Sequence, residues 1–461
     1  QGYLLGPRLV SGRGPQTADR AARSPLASIF WGSLGSLASL MLIRGAWFYA
    51  DLKLNVWGDA WTTVIMLVLG CAWILLDQRE LPASVPSSQS PVPLSQRLFA
   101  LLSLTFSLSG LLLIAWAAFR AGTTDAIRTP WPLMPEWTLP FVGVLWILAL
   151  ATAWRIRSTV IAAMQTACAI GATLSLAPLL YRIGYGFDGF LHVAGEKVLL
   201  STGALLPKPP YYMGQYVFVT WLARLSDIDG SLIDRWLVPV LAAILIPAAL
   251  ALVVGRGRPA TLIALILMPL GAFVATTPHG FATILGIIAL ILCMVIDNPD
   301  IKPATDGLPR ACRGDGHPIG MANRFSTNPA LPLLFALWSA LTHPLIGLPI
   351  LFATLMALAH ASSERRKTLR IVSWFLAVSA GLVVPVVFGL ASGLGSAAGV
   401  TFDLNSLGNW DAFAATLRGF IPWVGNRYAI WPEASVWIEQ LLPWVTILFA
   451  GLSVWRYHGL P

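Results

Sequence analysis

Apolar stretches long enough to cross a bilayer recur along almost the whole of this sequence. They fall at about 26–43, 57–76, 98–119, 138–154 and 159–181, and later apolar runs lie near 211–226, 236–254, 259–276, 279–296, 329–342, 344–360, 370–391 and 438–455. A helix needs about 20 apolar residues to cover roughly 30 Å of hydrocarbon. The expected fold is therefore all-α, a polytopic transmembrane helix bundle of about 12–13 hydrophobic segments. Composition agrees: 56% of the residues are hydrophobic and only 11% charged, against about 25% charged in soluble domains.

The formal charge of +9 would suggest nucleic acid in a soluble protein. Here the basic residues sit in short loops between apolar runs, where they orient helices, and nucleic-acid binding is set aside. Cys71, Cys168 and Cys293 lie inside apolar segments and Cys312 stands alone in a loop, so neither a disulfide framework nor a zinc pattern is written. The basic stretch from Arg8 to Arg23 has no small-residue cleavage site behind a short apolar core. It reads as an uncleaved cytoplasmic tail. The 81–96 and 297–328 segments, rich in Ser, Pro, Gly or mixed charge, read as flexible connections.

Loop charges set a topology. Arg8 to Arg23, Arg79 and Arg97, and Arg155 and Arg157 share one side if the N-terminus is inside, which puts the stretch after 181 outside. If 211–226 then crosses fully, the Arg256/Arg258 and Glu364–Arg370 loops come out external, against the positive-inside bias. If it dips in and returns, both become cytoplasmic, and the second topology is preferred. The 211–226 run is short for a span and carries Gln215. The chain divides into N-terminal transmembrane helices, 1–158, and a core, 159–461, with outer loops at 182–235 and 391–440.

The polar stretch from Tyr181 to Gln215 concentrates what the apolar runs lack. Asp188, His192 and Glu196 are spaced i, i+4, i+8, which places them along one face if the segment is helical. The spacing predicts an extracytoplasmic interfacial helix within 181–203, stopped by Gly203 and Pro207. Phe187, Phe190, Ala194 and Val198 would face lipid or protein and the polar trio an aqueous groove, with Leu199 falling on the polar side. His279 and His343 stand at breaks between apolar runs, in T-T-P-H and T-H-P contexts. Both are expected on the same side and at the same depth as Asp188 and His192. The 391–440 loop adds Arg418 and Arg427, with tryptophans that suit an interfacial belt.

No P-loop, dinucleotide glycine fingerprint, H-E-x-x-H or nucleophile elbow is present. What remains is an acid at the outer end of a helix, then an amphipathic stretch, then Pro207-Lys208-Pro209-Pro210-Tyr211-Tyr212. This arrangement resembles the first extracytoplasmic loop of the GT-C superfamily of membrane glycosyltransferases, such as protein O-mannosyltransferases and aminoarabinose transferases. The resemblance covers about Tyr181 to Arg235. Asp188 falls on the family's acidic position, Pro209, Pro210, Tyr211 and Tyr212 on its proline-aromatic turn, and Arg235 on an arginine often found there. Two departures are plain: Gly189 follows Asp188 where a second acid is common, and four spans precede the motif where the family usually has one.

The resemblance implies an integral protein of the cytoplasmic (inner) membrane of a bacterium, with a GT-C-like core and an extracytoplasmic active site. It would transfer a sugar from a polyprenyl-phosphate-linked donor to an acceptor. Such a transfer needs a carboxylate as general base and cations for the departing phosphate. Asp188 suits the first role. His192, Lys208, His279, His343, Arg418 and Arg427 form the pool for the second, led by Lys208 between its prolines. Glu196, Tyr211, Tyr212 and Gln215 complete the expected substrate-binding set. No cofactor is expected, and no ligand pattern supports a divalent metal. The competing reading is a secondary transporter or flippase for a glycolipid or anionic substrate. Against it, the spans are nearly free of charge and no internal repeat is evident.

Overall fold

The computed structural model describes residues 25–61, 63–64, 93–125, 127, 130–156, 158–185, 187–206, 211–254, 262, 265, 268, 270–296 and 330–362. The described residues are mostly helical, with no strand among them. In chain order the helices are α1 (Pro25–Tyr49), α2 (Leu94–Arg120), α3 (Thr138–Arg155), α4 (Thr159–Leu174), α5 (Leu176–Leu180) and α6 (Phe187–Thr202). They continue with α7 (Met213–Ser226), α8 (Gly230–Val254), α9 (Pro278–Ile296), α10 (Ala330–Thr342) and α11 (Pro344–Ser362). Three of them, α2, α3 and α8, are long and apolar enough to cross a membrane by length and composition. The apolar runs expected at 370–391 and 438–455, most of 57–76 and 259–276, the 81–92 and 297–328 connections and the 391–440 loop lie outside the described residues.

α2 shows how these helices pack. Its buried stripe is Ala100, Ser103, Ser107, Gly110, Ile114, Ala117 and Ala118, recurring every three or four residues. Leu98, Leu101, Leu102, Leu112, Trp116 and Phe119 point outward. A soluble helix does the reverse. Small residues inside and large apolar ones outside are what helix association in lipid favours, because backbones must approach closely without a hydrophobic drive. At Gly110 an added Cβ would lie 2.8 Å from the Phe141 ring of α3, and Ser107 accepts from Gln165 of α4 inside the same interface.

α4 packs between α2, α3 and α8, while α9 packs against α8, α10 and α11, and α1 lies along α10. The helix ends follow local rules. Ser158 caps α4 by accepting from the Ile161 N–H, and Thr277 Oγ1 accepts from Gly280 N at 3.1 Å ahead of α9. Proline occupies the first position of both α9 and α11, where its missing N–H costs nothing. α8 runs through Pro239 and Pro247, and the Val238 N–H beside the first proline donates to Thr276 Oγ1 at 3.1 Å. The single run expected at 159–181 is broken at Ser175 into α4 and α5. α7 has 14 residues, about 21 Å at 1.5 Å per residue, well short of the hydrocarbon thickness.

The helix expected within 181–203 begins at Phe187 and ends at Thr202, with Gly203 at φ +71° as its stop. An added Cβ at Gly203 would meet the Leu54 carbonyl at 2.7 Å. Phe190, Ala194 and Val198 are exposed, as the spacing expected. The groove expectation fails for His192 and Glu196. Both are buried, together with Leu199, because α7 and α8 pack against that face.

Candidate functional site

Three helices bring their few polar side chains to one point. Glu196 on α6, Gln215 on α7 and Asp234 on α8 are 1%, 0% and 4% exposed. Gln215 Nε2 donates to Glu196 Oε1 at 3.1 Å and to Asp234 Oδ1 at 3.0 Å. Two carboxylates cannot both stay charged this deep. Burial first, and then the neighbouring Asp234, push Glu196 well above the ordinary carboxylate range. Glu196 Oε2 is a buried oxygen with no hydrogen-bond partner among the described residues. One turn earlier on α6, His192 Nδ1 shares a 2.9 Å hydrogen bond with the Tyr216 hydroxyl of α7.

Beside this core the chain makes a strained turn. Tyr212 has φ +74°, the left-handed region that bulky residues avoid. Its N–H donates to the Thr342 carbonyl at the end of α10, 3.1 Å away. Gly214 makes the approach possible, since a Cβ there would collide with Thr342, and its carbonyl accepts from Trp338 Nε1 at 3.1 Å. Five rings gather here. Tyr211 stands edge-on to Tyr212 with centroids 4.4 Å apart, Tyr212 lies 4.9 Å from His192 and 5.8 Å from His343, and His343 lies 5.5 Å from His279.

The N-termini of α7, α9 and α11 thus meet at Tyr212, His279 and His343, and aligned helix N-termini favour negative charge. Burial, followed by the two neighbouring histidines, depresses the His343 imidazole to about 4. It is neutral at pH 7, and its Nδ1 is a buried atom with no partner among the described residues. A neutral imidazole at this place can donate or accept a hydrogen bond, or take up a proton.

On the other side of α6 a cleft of about 270 Å³ opens between the 181–185 segment, α6, the start of α8 and residues 274–276. Its polar lining includes Tyr181, Tyr185, Lys197, Asp234, Arg235 and Thr276, and Ile183 and Phe190 add exposed apolar surface. Asp234 thereby belongs to both the buried carboxyl pair and the cleft wall. Arg235 is anchored by an Nη2 donation to the Arg182 carbonyl at 2.7 Å. Gly184, at φ +134°, turns the chain over the Phe190 ring.

Of the expected site residues, His192, Glu196, Tyr211, Tyr212, Gln215, His279 and His343 all fall within this cluster. Asp188 is the second residue of α6, one turn before His192 and next to Gly189 on the cleft wall; its side chain lies outside what the structure describes. Lys208, Arg418 and Arg427 also lie outside the described residues. The sequence reading missed Asp234 and Tyr216, and it passed over Lys197 as a cleft residue. Asp234 carried a usable signal, an acid beside Arg235 at the start of a helix that is apolar from Trp236 onward. Among the described residues no group of three or more His, Cys, Asp or Glu side chains could hold a metal. No protein-family model, curated protein or solved structure matches the chain.

Proposed function

We propose that this chain is a membrane-embedded glycosyltransferase of GT-C type, moving a sugar from a polyprenyl-phosphate-linked donor to an acceptor on the extracytoplasmic side. In this reading the helices form a polytopic bundle in a bacterial inner membrane, α6 lies along the outer interface, and α7 dips in and returns. One observation carries it: polar side chains spread from His192 to His343 gather at the converging helix N-termini beside the backbone of Asp188. A chemical site at one end of an apolar bundle is what transfer between a lipid-borne donor and an aqueous acceptor requires.

The chemistry divides among these groups. Asp188 takes the proton of the acceptor hydroxyl as it attacks the sugar carbon, and the bond to the donor phosphate breaks with its electron pair passing to phosphate oxygen. The helix N-termini stabilise that leaving charge, with Lys208, Arg418 and Arg427 as the cations of the outer loops. Neutral His343 and His279 orient substrate oxygens by hydrogen bonds. Asp188→Asn keeps the shape of the side chain and removes the base, so transfer should fall roughly 10²–10⁴-fold. Purified protein with a set of polyprenyl-phosphate sugars would show this, and an unchanged rate would remove the central residue from the proposal.

A second reading has one observation in its favour. The Glu196–Gln215–Asp234 cluster, two buried carboxyls bridged by an amide between helices, is also what a proton-coupled transporter of an anionic or glycolipid substrate would use. Proteoliposomes separate the two: proton-driven accumulation without glycosyl transfer favours the transporter.

A further inference from the structure

The cleft beside α6 has features that the histidine and tyrosine cluster lacks. At about 270 Å³ it is just smaller than the range for drug-sized ligands, about 300–1,000 Å³, which suits one ring and its substituents. Tyr181 and Tyr185 line one wall with ring centroids 4.9 Å apart. The Tyr181 hydroxyl is buried and without a hydrogen-bond partner among the described residues, although a buried tyrosine O–H usually finds one. Asp234 supplies a carboxyl oxygen, Thr276 a hydroxyl, and Lys197 and Arg235 two cations, against one acid among the side chains described in the lining.

This is a donor and acceptor set for a ring carrying several hydroxyls. A carboxyl oxygen and the remaining guanidinium N–H groups can each pair with an oxygen of the ring or its substituent, and tyrosine faces cover the C–H side of a ring while their tips stay polar. The surplus of cations selects for negative charge. The exposed positions of Ile183 and Phe190 lie on the rim and leave the polar wall intact.

We propose that this cleft binds a single anionic sugar ring, bearing a carboxylate or a phosphate, and serves as the acceptor subsite of the transferase. The acceptor role rests on the glycosyltransferase reading, whereas binding of the ring does not. Arg235 and Lys197 hold the anionic substituent, and Asp234 and Tyr181 hold ring hydroxyls. The Gly189 edge of the cleft sets the bound ring beside the start of α6, where Asp188 stands.

The test uses the full chain in phosphatidylcholine nanodiscs and saturation-transfer NMR with four probes: methyl glucuronide, glucose 1-phosphate, methyl glucoside and octyl phosphate. Methyl glucuronide or glucose 1-phosphate should bind and methyl glucoside should bind more weakly. The two anionic sugars tell a carboxylate from a phosphate substituent. Lys197→Gln and Arg235→Gln should each raise the Kd about 10-fold or more, the worth of a charged hydrogen bond. Tyr181→Phe should weaken binding while leaving the melting temperature unchanged, because the lost hydroxyl has no partner among the described residues. Equal binding of methyl glucoside, insensitivity to all three substitutions, or binding of octyl phosphate alone would each overturn the proposal. Binding of the anionic sugar by a chain that transfers no sugar would overturn the transferase reading and keep the sugar site.

Discussion

Replacing Asp59 by Asn should destabilise the protein by about 3–5 kcal/mol, the usual cost of leaving one member of a buried ion pair uncompensated. Asp59 sits between two arginines, Arg44 of α1 and Arg224 of α7. Arg44 is 1% exposed, and its Nε and Nη2 have no other hydrogen-bond partner among the described residues, so its charge depends on Asp59. Arg224 is better supported, since Nη2 also donates to the Leu199 and Leu200 carbonyls at 3.1 and 3.2 Å, near the end of α6. With an unfolding entropy of about 2.1 cal/mol/K per residue, a chain of this length loses about 1 kcal/mol per degree near its midpoint. Asp59→Asn should therefore lower the melting temperature by about 3–5 °C, read from tryptophan fluorescence in detergent. Adding Arg44→Met removes the orphaned charge and should recover most of the loss, giving a coupling energy at the upper end of about 0.5–3 kcal/mol. Single and double variants that melt together with the wild type would refute the reasoning, because Arg44 would then not depend on Asp59.

Gly214→Ala should cost about 1–3 kcal/mol through overpacking, because its Cβ would meet both the side chain and the backbone of Thr342; thermal melts of the purified variant measure it. The depressed His343 pKa fixes a pH effect and its sign. Folded His343 titrates at about 4 and an unfolded histidine at about 6.5, so the unfolded state binds the extra proton first. Stability from this group is fully present above about 6.5 and is lost as pH falls towards 4. His343→Gln should flatten that acid limb in unfolding curves between pH 7 and pH 4, and an unchanged slope would show that the imidazole is not protected by burial.

Much of the helical order was legible because apolar runs report helices directly. The runs at 98–119, 138–154, 279–296, 329–342 and 344–360 reappear within a few residues as α2, α3, α9, α10 and α11. The i, i+4 spacing of His192 and Glu196 and the punctuating Thr-Pro and His-Pro pairs placed a polar face and two helix starts. What failed was sidedness. Spacing along α6 groups His192 with Glu196 but does not say whether their face meets water or two other helices, since that depends on α7 and α8 packing there. Asp234 was hidden for a related reason. Read beside Asp227 and Asp229 it passes for part of a solvated acidic loop, while in the fold it begins the buried course of α8 and meets Glu196 through Gln215.

The inverted surface of α2 reverses the usual map of mutational tolerance. Leu98, Leu101, Leu102 and Leu112 touch surroundings rather than partners, so exchanges among large apolar residues there should pass unnoticed. At Ala100, Ser103, Ser107 and Gly110 even a few added carbons would push α2 away from its neighbours, and the seam would lose its van der Waals contacts along several turns. In this helix the positions that look least informative by hydrophobicity, the alanines, serines and glycine, are those that record which helices lie beside it.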